Sequence, residues 1–194
     1  MEHMASNRSQ MEVEIKLPLP DAGRGRRLLR AAGYRILRRR VFESNTVYDR
    51  PPGELRSTGE LLRLRSSGRA WLLTYKGPPI PSRHKTRPEF EVSVSGGAPM
   101  DHILRRLGYV PAFRYEKFRT EFRKRPGPGV VVLDETPIGV FLELEGPAEW
   151  IDRAAGELGF EEASYITASY GALYMEDCRR RGLVPSHMTF APAP

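Results

Sequence analysis

Glu12-Val13-Glu14-Ile15-Lys16 is the stretch on which the architecture turns. Successive side chains of a strand point to opposite faces, so Glu12, Glu14 and Lys16 share one face while Val13, Ile15 and Leu17 share the other. One such strand could simply show its charges to water. The alternation recurs, however, at Arg63 and Arg65, at Arg87, Glu89 and Glu91, through Lys117, Arg119, Glu121 and Arg123, and at Glu143 and Glu145. Several strands that each lay charges on one face, with both signs represented, point to a closed sheet with a charged interior. Such an interior suits a polyanion accompanied by metal ions.

Working outward, eight segments carry strand character: Met11 to Leu17, Val41 to Tyr48, Leu61 to Arg65, Trp71 to Lys76, Arg87 to Ser95, Arg114 to Arg123, Val130 to Asp134 and Gly139 to Glu145. Short turn-forming gaps such as Ser66-Ser67-Gly68 and Thr136-Pro137 favour antiparallel neighbours. Helices are expected from an Asp21 cap to Ala32, over Met100 to Leu107, Ala148 to Leu158 and Ala168 to Arg180. Gly23 and Gly25 weaken the first turn of the first of these. Gly33-Tyr34, Gly108-Tyr109 and Gly159-Phe160 each close a helix with glycine and an aromatic residue, which fits either ordinary capping or an old duplication.

The 194 residues suffice for one domain with a real core, expected over residues 11–182. Residues 1–10 are expected to be a tag or a loose arm, and 183–194 a loose tail. A net charge of +7 favours anionic partners without choosing among them. One cysteine, Cys178, excludes an intramolecular disulfide framework and suits a cytoplasmic setting. No run approaches the roughly 20 apolar residues of a membrane span.

The sequence contains no P-loop, no nucleophile elbow and no zinc-ligand spacing among its four histidines. His84, in Arg83-His84-Lys85-Thr86, is expected to be a solvated loop residue rather than a base. Tyr170, Leu173 and Tyr174 have helical spacing and are expected to pack rather than touch ligand. Two readings of the charged faces remain. They could be the polar outside of a sandwich, or the inside of a barrel where glutamates offer hard oxygens to Mg²⁺ or Mn²⁺ and arginines grip phosphate.

The ordered set resembles the CYTH superfamily of triphosphate tunnel metalloenzymes. It comprises Glu12-Val13-Glu14-Ile15-Lys16, Leu62-Arg63-Leu64-Arg65, Leu73-Thr74-Tyr75-Lys76-Gly77-Pro78, Arg87-Pro88-Glu89-Phe90-Glu91, Tyr115-Glu116-Lys117-Phe118-Arg119, Leu133-Asp134-Glu135 and Phe141-Leu142-Glu143-Leu144-Glu145. The Thr-Tyr-Lys-Gly-Pro run, the Arg-x-Glu-x-Glu run and Ser169-Tyr170 look most like the bacterial class IV adenylyl cyclase branch. The resemblance implies an α+β fold, an eight-stranded antiparallel closed barrel with helices outside. It implies Mg²⁺ or Mn²⁺ on Glu12, Glu14, Glu143 and Glu145 with Asp134 assisting, and phosphate on Lys16, Arg63, Arg65, Lys76, Arg87, Lys117 and Arg119. Lys76 is the candidate proton acceptor. The implied substrate is ATP, tripolyphosphate or thiamine triphosphate, either hydrolysed or, for ATP, cyclised to cyclic AMP and pyrophosphate. A non-catalytic polyphosphate or nucleotide-binding module is the remaining alternative. No membrane or specific nucleic-acid partner is expected, and the chain is expected to be a monomer or homodimer. A lysine that some relatives carry near Ala168 or Ser169 is absent.

Overall fold

Eight strands close into one barrel in the computed structural model, which describes residues 10–191. They are β1 (Gln10–Leu19), β2 (Arg35–Asp49), β3 (Leu61–Ser67), β4 (Ala70–Lys76), β5 (Lys85–Val94), β6 (Val110–Arg123), β7 (Val130–Thr136) and β8 (Gly139–Glu145). Every neighbouring pair is antiparallel, in the order β1-β5-β4-β3-β2-β6-β7-β8. Helices α1 (Ala22–Ala31), α2 (Glu54–Ser57), α3 (Gly97–Arg106), α4 (Ala148–Glu157) and α5 (Tyr170–Arg181) surround it. The expected arm lies outside the described residues except for Gln10, which opens β1.

The apolar backs of the strands face outward and form the main core. Ile15, Leu17, Val131, Leu133, Leu142 and Leu144 are buried beneath Leu29 of α1 and Ile151, Ala154 and Ala155 of α4. Each such aliphatic side chain contributes about 1.5–3 kcal/mol on leaving water. A second cluster sets Leu64 and Tyr48 against Leu104 of α3. Gly25, which weakens α1 as a helix former, is required by this packing: a Cβ there would lie 2.7 Å from Leu19 and 2.8 Å from Leu133. Phe90 and Val92 depart from the pattern, being 43% and 57% exposed, whereas Val94 on the same face of β5 packs against the cluster beneath α3.

The pairing has an internal two-fold. β1-α1-β2-β3-β4 and β5-α3-β6-β7-β8 make equivalent connections, with α2 an insertion in the first half. The glycine–aromatic echo is explained locally. Gly33, Gly108 and Gly159 have φ of +85°, +87° and +82°. The following amides donate to Leu29, Leu104 and Ala155 carbonyls at 2.9, 3.0 and 3.0 Å, closing each helix in the Schellman manner. Because Gly159 lies outside both halves, the echo follows capping rather than the repeat.

The expected loose tail is tied down at Met188 in its described part, up to residue 191. Met188 is 1% exposed and pairs with β6, accepting from Glu116 N at 2.9 Å and donating to Arg114 O at 3.0 Å. β7 reaches β6 only from Phe118 onward, so this strap covers backbone groups that would otherwise form an open edge.

Candidate functional site

Closure of the barrel turns the charged faces inward. Glu12, Glu14, Lys16, Arg63, Arg65, Lys76, Arg87, Lys117, Asp134 and Glu143 are all buried, although β-strand surfaces rarely bury so many charges. Arg119 joins them by its contacts, while Glu145 reaches solvent at one mouth. All the predicted site residues therefore lie in or at one lumen.

The lower end is closed. Tyr170, at the start of α5, donates to Asp134 Oδ2 at 2.9 Å, and the Nζ atoms of Lys16 and Lys117 each lie 5.1 Å from its ring centroid. Tyr115, Phe141 and Met188 pack around it. Tyr170 thus touches the lumen's charges and is more than the packing residue its helical spacing implied. Ser169 caps α5 by accepting from Ala172 N at 3.2 Å, which fixes where the ring enters.

Above this floor the charges satisfy one another. Lys117 Nζ donates to Asp134 Oδ2 at 2.8 Å, and Arg119 forks onto the same carboxylate at 2.9 and 2.7 Å while also reaching Glu143. Lys16 lies 3.0 Å from Glu14 and 3.4 Å from Glu143. Lys76 bonds Glu12 and lies 3.2 Å from Glu89, and Arg87 Nε donates to Glu12 at 3.3 Å. Arg63 donates to Tyr115 Oη and Thr74 Oγ1, each at 3.1 Å, and Arg65 donates to Glu91 at 2.7 Å. The Nε groups of both arginines are buried with no acceptor among the described residues. An unmade buried hydrogen bond of this kind costs about 1–3 kcal/mol, so these donors are poised for an anion.

Burial alone would raise the Asp134 carboxyl, but Arg119 and Lys117 hold it far below the usual range. Burial is likewise overcome at Lys16, whose ammonium is strengthened by Glu14 and Glu143. Glu145 behaves oppositely: the surrounding protein, with the negative charges of Glu12 and Glu14, pushes its carboxyl up to about 7. Among the described residues, no three carboxylates, histidines or cysteines converge as a finished metal cage. The donor set nevertheless suits Mg²⁺, which is ordinarily held by one or two carboxylates plus substrate phosphates. Glu145, crowded by Glu12 and Glu14, is the group such a cation would relieve. Asp134 differs, because both its oxygens are occupied by Lys117, Arg119 and Tyr170.

Sequence reasoning missed two interior residues. Glu43 is 1% exposed, accepts from Ser67 at 2.9 Å and lies 3.6–3.9 Å from Arg65, Lys117 and Arg119. Its carboxyl is held down to about 2, since those three cations outweigh burial. Alternation through Val41-Phe42-Glu43 was the available signal. Lys85 donates to Glu14 at 2.6 Å, and burial above all lowers its ammonium to about 8. His84 is also corrected: it is 2% exposed, with Nε2 2.8 Å from Asp152 Oδ1 on α4. Arg83 at 2.6 Å and the Tyr165 hydroxyl at 3.2 Å bind the same carboxylate, so this group clasps the β4–β5 connection to α4.

The profile of the CYTH domain family matches residues 10–170. A Methanocaldococcus jannaschii protein named "Putative adenylate cyclase" is 31% identical over 135 residues, 70% of this chain and 76% of that protein. The crystal structure of a Vibrio parahaemolyticus protein, also called a "putative adenylate cyclase", superposes with a TM-score of 0.72 at 21% identity, over 86% of this chain and 98% of that one. A Hippeastrum protein described as a "putative adenylyl cyclase" with a dominant triphosphatase activity superposes with a TM-score of 0.60 at 22% identity, over 90% and 97%.

Proposed function

The chain belongs to the CYTH domain family, and from that premise we propose that it is a divalent-metal-dependent hydrolase of tripolyphosphate or of an organic or nucleoside triphosphate. The observation that carries this reading is the pair of buried Nε donors on Arg63 and Arg65, in a lumen where Arg65, Lys76 and Arg119 also sit on the carboxylates Glu91, Glu12 and Glu143. Incoming phosphate oxygens replace Glu91, Glu12 and Glu143 as partners of Arg65, Lys76 and Arg119, so a triphosphate exchanges for ion pairs already desolvated. Asp134 and Tyr170 keep Lys117 and Arg119 aimed upward from the floor. A divalent ion bound by Glu12, Glu14 and Glu145 together with phosphate oxygens would add charge neutralisation at the transferring phosphorus. Lys76, donating to Glu12 and lying beside Glu89, is placed to orient the phosphate chain; it would accept a proton from the attacking water only after giving up the one it donates to Glu12.

Hydrolysis needs only a positioned water. Cyclisation of ATP to cyclic AMP and pyrophosphate is the second reading, favoured by the name of the 31% identical relative. The deciding experiment incubates the protein with Mg²⁺ or Mn²⁺ and, in parallel, tripolyphosphate, thiamine triphosphate and ATP. Orthophosphate from at least one substrate is expected. Cyclic AMP with pyrophosphate from ATP would move the assignment to a cyclase, and binding without any product would leave a non-catalytic module.

A further inference from the structure

At the mouth opposite Tyr170, β2 runs on past the end of β3, while β6 stays paired with β7 as far as Phe122. β3 pairs with β2 only from Glu43 onward, whereas Arg35, Ile36 and Arg38 pair with β6 alone, opposite Arg123, Phe122 and Glu121. Strand alternation puts Arg119, Glu121 and Arg123 on one face of β6, so the lumen's lining runs outward along this ribbon. Arg38 leans across it, donating to Ser67 Oγ at 3.1 Å and lying 3.6 Å from Glu121. At the outer end Arg35 stands directly opposite Arg123. Like charges facing each other across a ladder are destabilising, and the Arg123 Nε is buried with no acceptor among the described residues. Glu121, the acidic group on this face, is engaged by Arg38.

We propose that Arg35, Arg38 and Arg123 form a second phosphate-binding subsite, which holds the portion of a linear polyphosphate chain that projects from the lumen. The inference rests on the triphosphate reading of the lumen and specifies its substrate class as chains longer than tripolyphosphate. At about 3.4 Å per residue, Arg119 to Arg123 extends the basic path by about 14 Å. The face carries guanidinium groups and one carboxylate but no aromatic ring on which a base could stack, which favours polyphosphate over single-stranded nucleic acid.

The test compares binding and turnover of tripolyphosphate, of polyphosphate several tens of units long, and of a short RNA ending in a 5′-triphosphate. The proteins are the wild type, Arg35→Gln/Arg123→Gln, and Arg35→Gln alone, which leaves the half-buried Arg123 in place should the double variant fold poorly. Wild-type protein should bind the long chain more tightly than tripolyphosphate. The double variant should lose about tenfold in long-chain affinity, with a shallower salt dependence, and the single variant part of that; tripolyphosphate binding and turnover should not change. Equal wild-type affinity for both chains, or a parallel loss of both in the variants, overturns the subsite. A loss confined to the RNA overturns it in favour of a nucleic-acid surface. Failure of wild-type protein to bind tripolyphosphate at all would instead overturn the lumen reading.

Discussion

Arg65 shows how much of this site depends on the shape of a single side chain. Its guanidinium bonds Glu91, approaches Glu43 and keeps a buried donor in reserve. Lysine would keep the charge but not the planar fork. Steady-state kinetics should therefore show Arg65→Lys impaired on the best substrate, and Arg65→Ala impaired by about 2–4 kcal/mol in transition-state stabilisation. Equal turnover by Arg65→Lys would count against phosphate grip. Glu145 allows a different separation: Glu145→Gln removes a charge that Glu12 and Glu14 repel, so the metal-free protein should melt no lower than wild type near neutral pH. Its activity should nonetheless fall at least ~10²-fold. Glu43 is sensitive to acid. Its carboxyl lies at about 2 when folded against 4.5 normally, so its stabilisation is complete above 4.5 and disappears as pH falls toward 2. Glu43→Gln should lower stability near neutral pH by about 3 kcal/mol, a 2.5-unit difference converted at 1.36 kcal/mol per unit. Denaturant curves at neutral and acid pH should therefore converge for the two proteins, and a constant gap would contradict the linkage.

At the scale of elements, the strands were the most legible part and the connections the least. All eight strands were anticipated; an apolar/charged period of two marks β1, β3, β5, β6 and β8, whereas β7, apolar through Val130-Val131-Val132-Leu133, carries no such period. The clasp on His84 was not, since Arg83-His84-Lys85-Thr86 is polar in itself and is buried only by Asp152 on α4 and Tyr165 beyond it. The C-terminal strap was misjudged for the same reason: prolines disfavour regular structure, yet two backbone bonds at Met188 suffice when a strand edge offers partners. Met188→Ala should cost about 2–5 kcal/mol, read as a lower urea midpoint with unchanged slope. An unaltered midpoint would mean that the strap contributes little to stability.

For the whole molecule, closure converts surface charge into a desolvated, self-paired interior. A ligand that exchanges into those pairs binds the folded state alone, so tripolyphosphate with Mg²⁺ should raise Tm. At a hundredfold excess over Kd the gain is about 2.7 kcal/mol, roughly 5–10 °C for a chain of this size. Sulfate at matched ionic strength is the control in a thermal melt. An equal shift with sulfate would indicate general screening of the +7 charge instead of occupancy of the lumen. The sequence by itself determined which residues share a face, because alternation is a property of the extended backbone, and it placed Glu12, Arg63, Lys76 and Glu143 in one set. Only the tertiary structure decided who meets whom. Lys76 finds Glu12 across 64 positions, Glu43 joins three cations from β3 and β6, and Tyr170 arrives from a helix to floor the lumen. Those meetings depend on how the sheet closes and what packs against its ends, a geometry that no local period encodes.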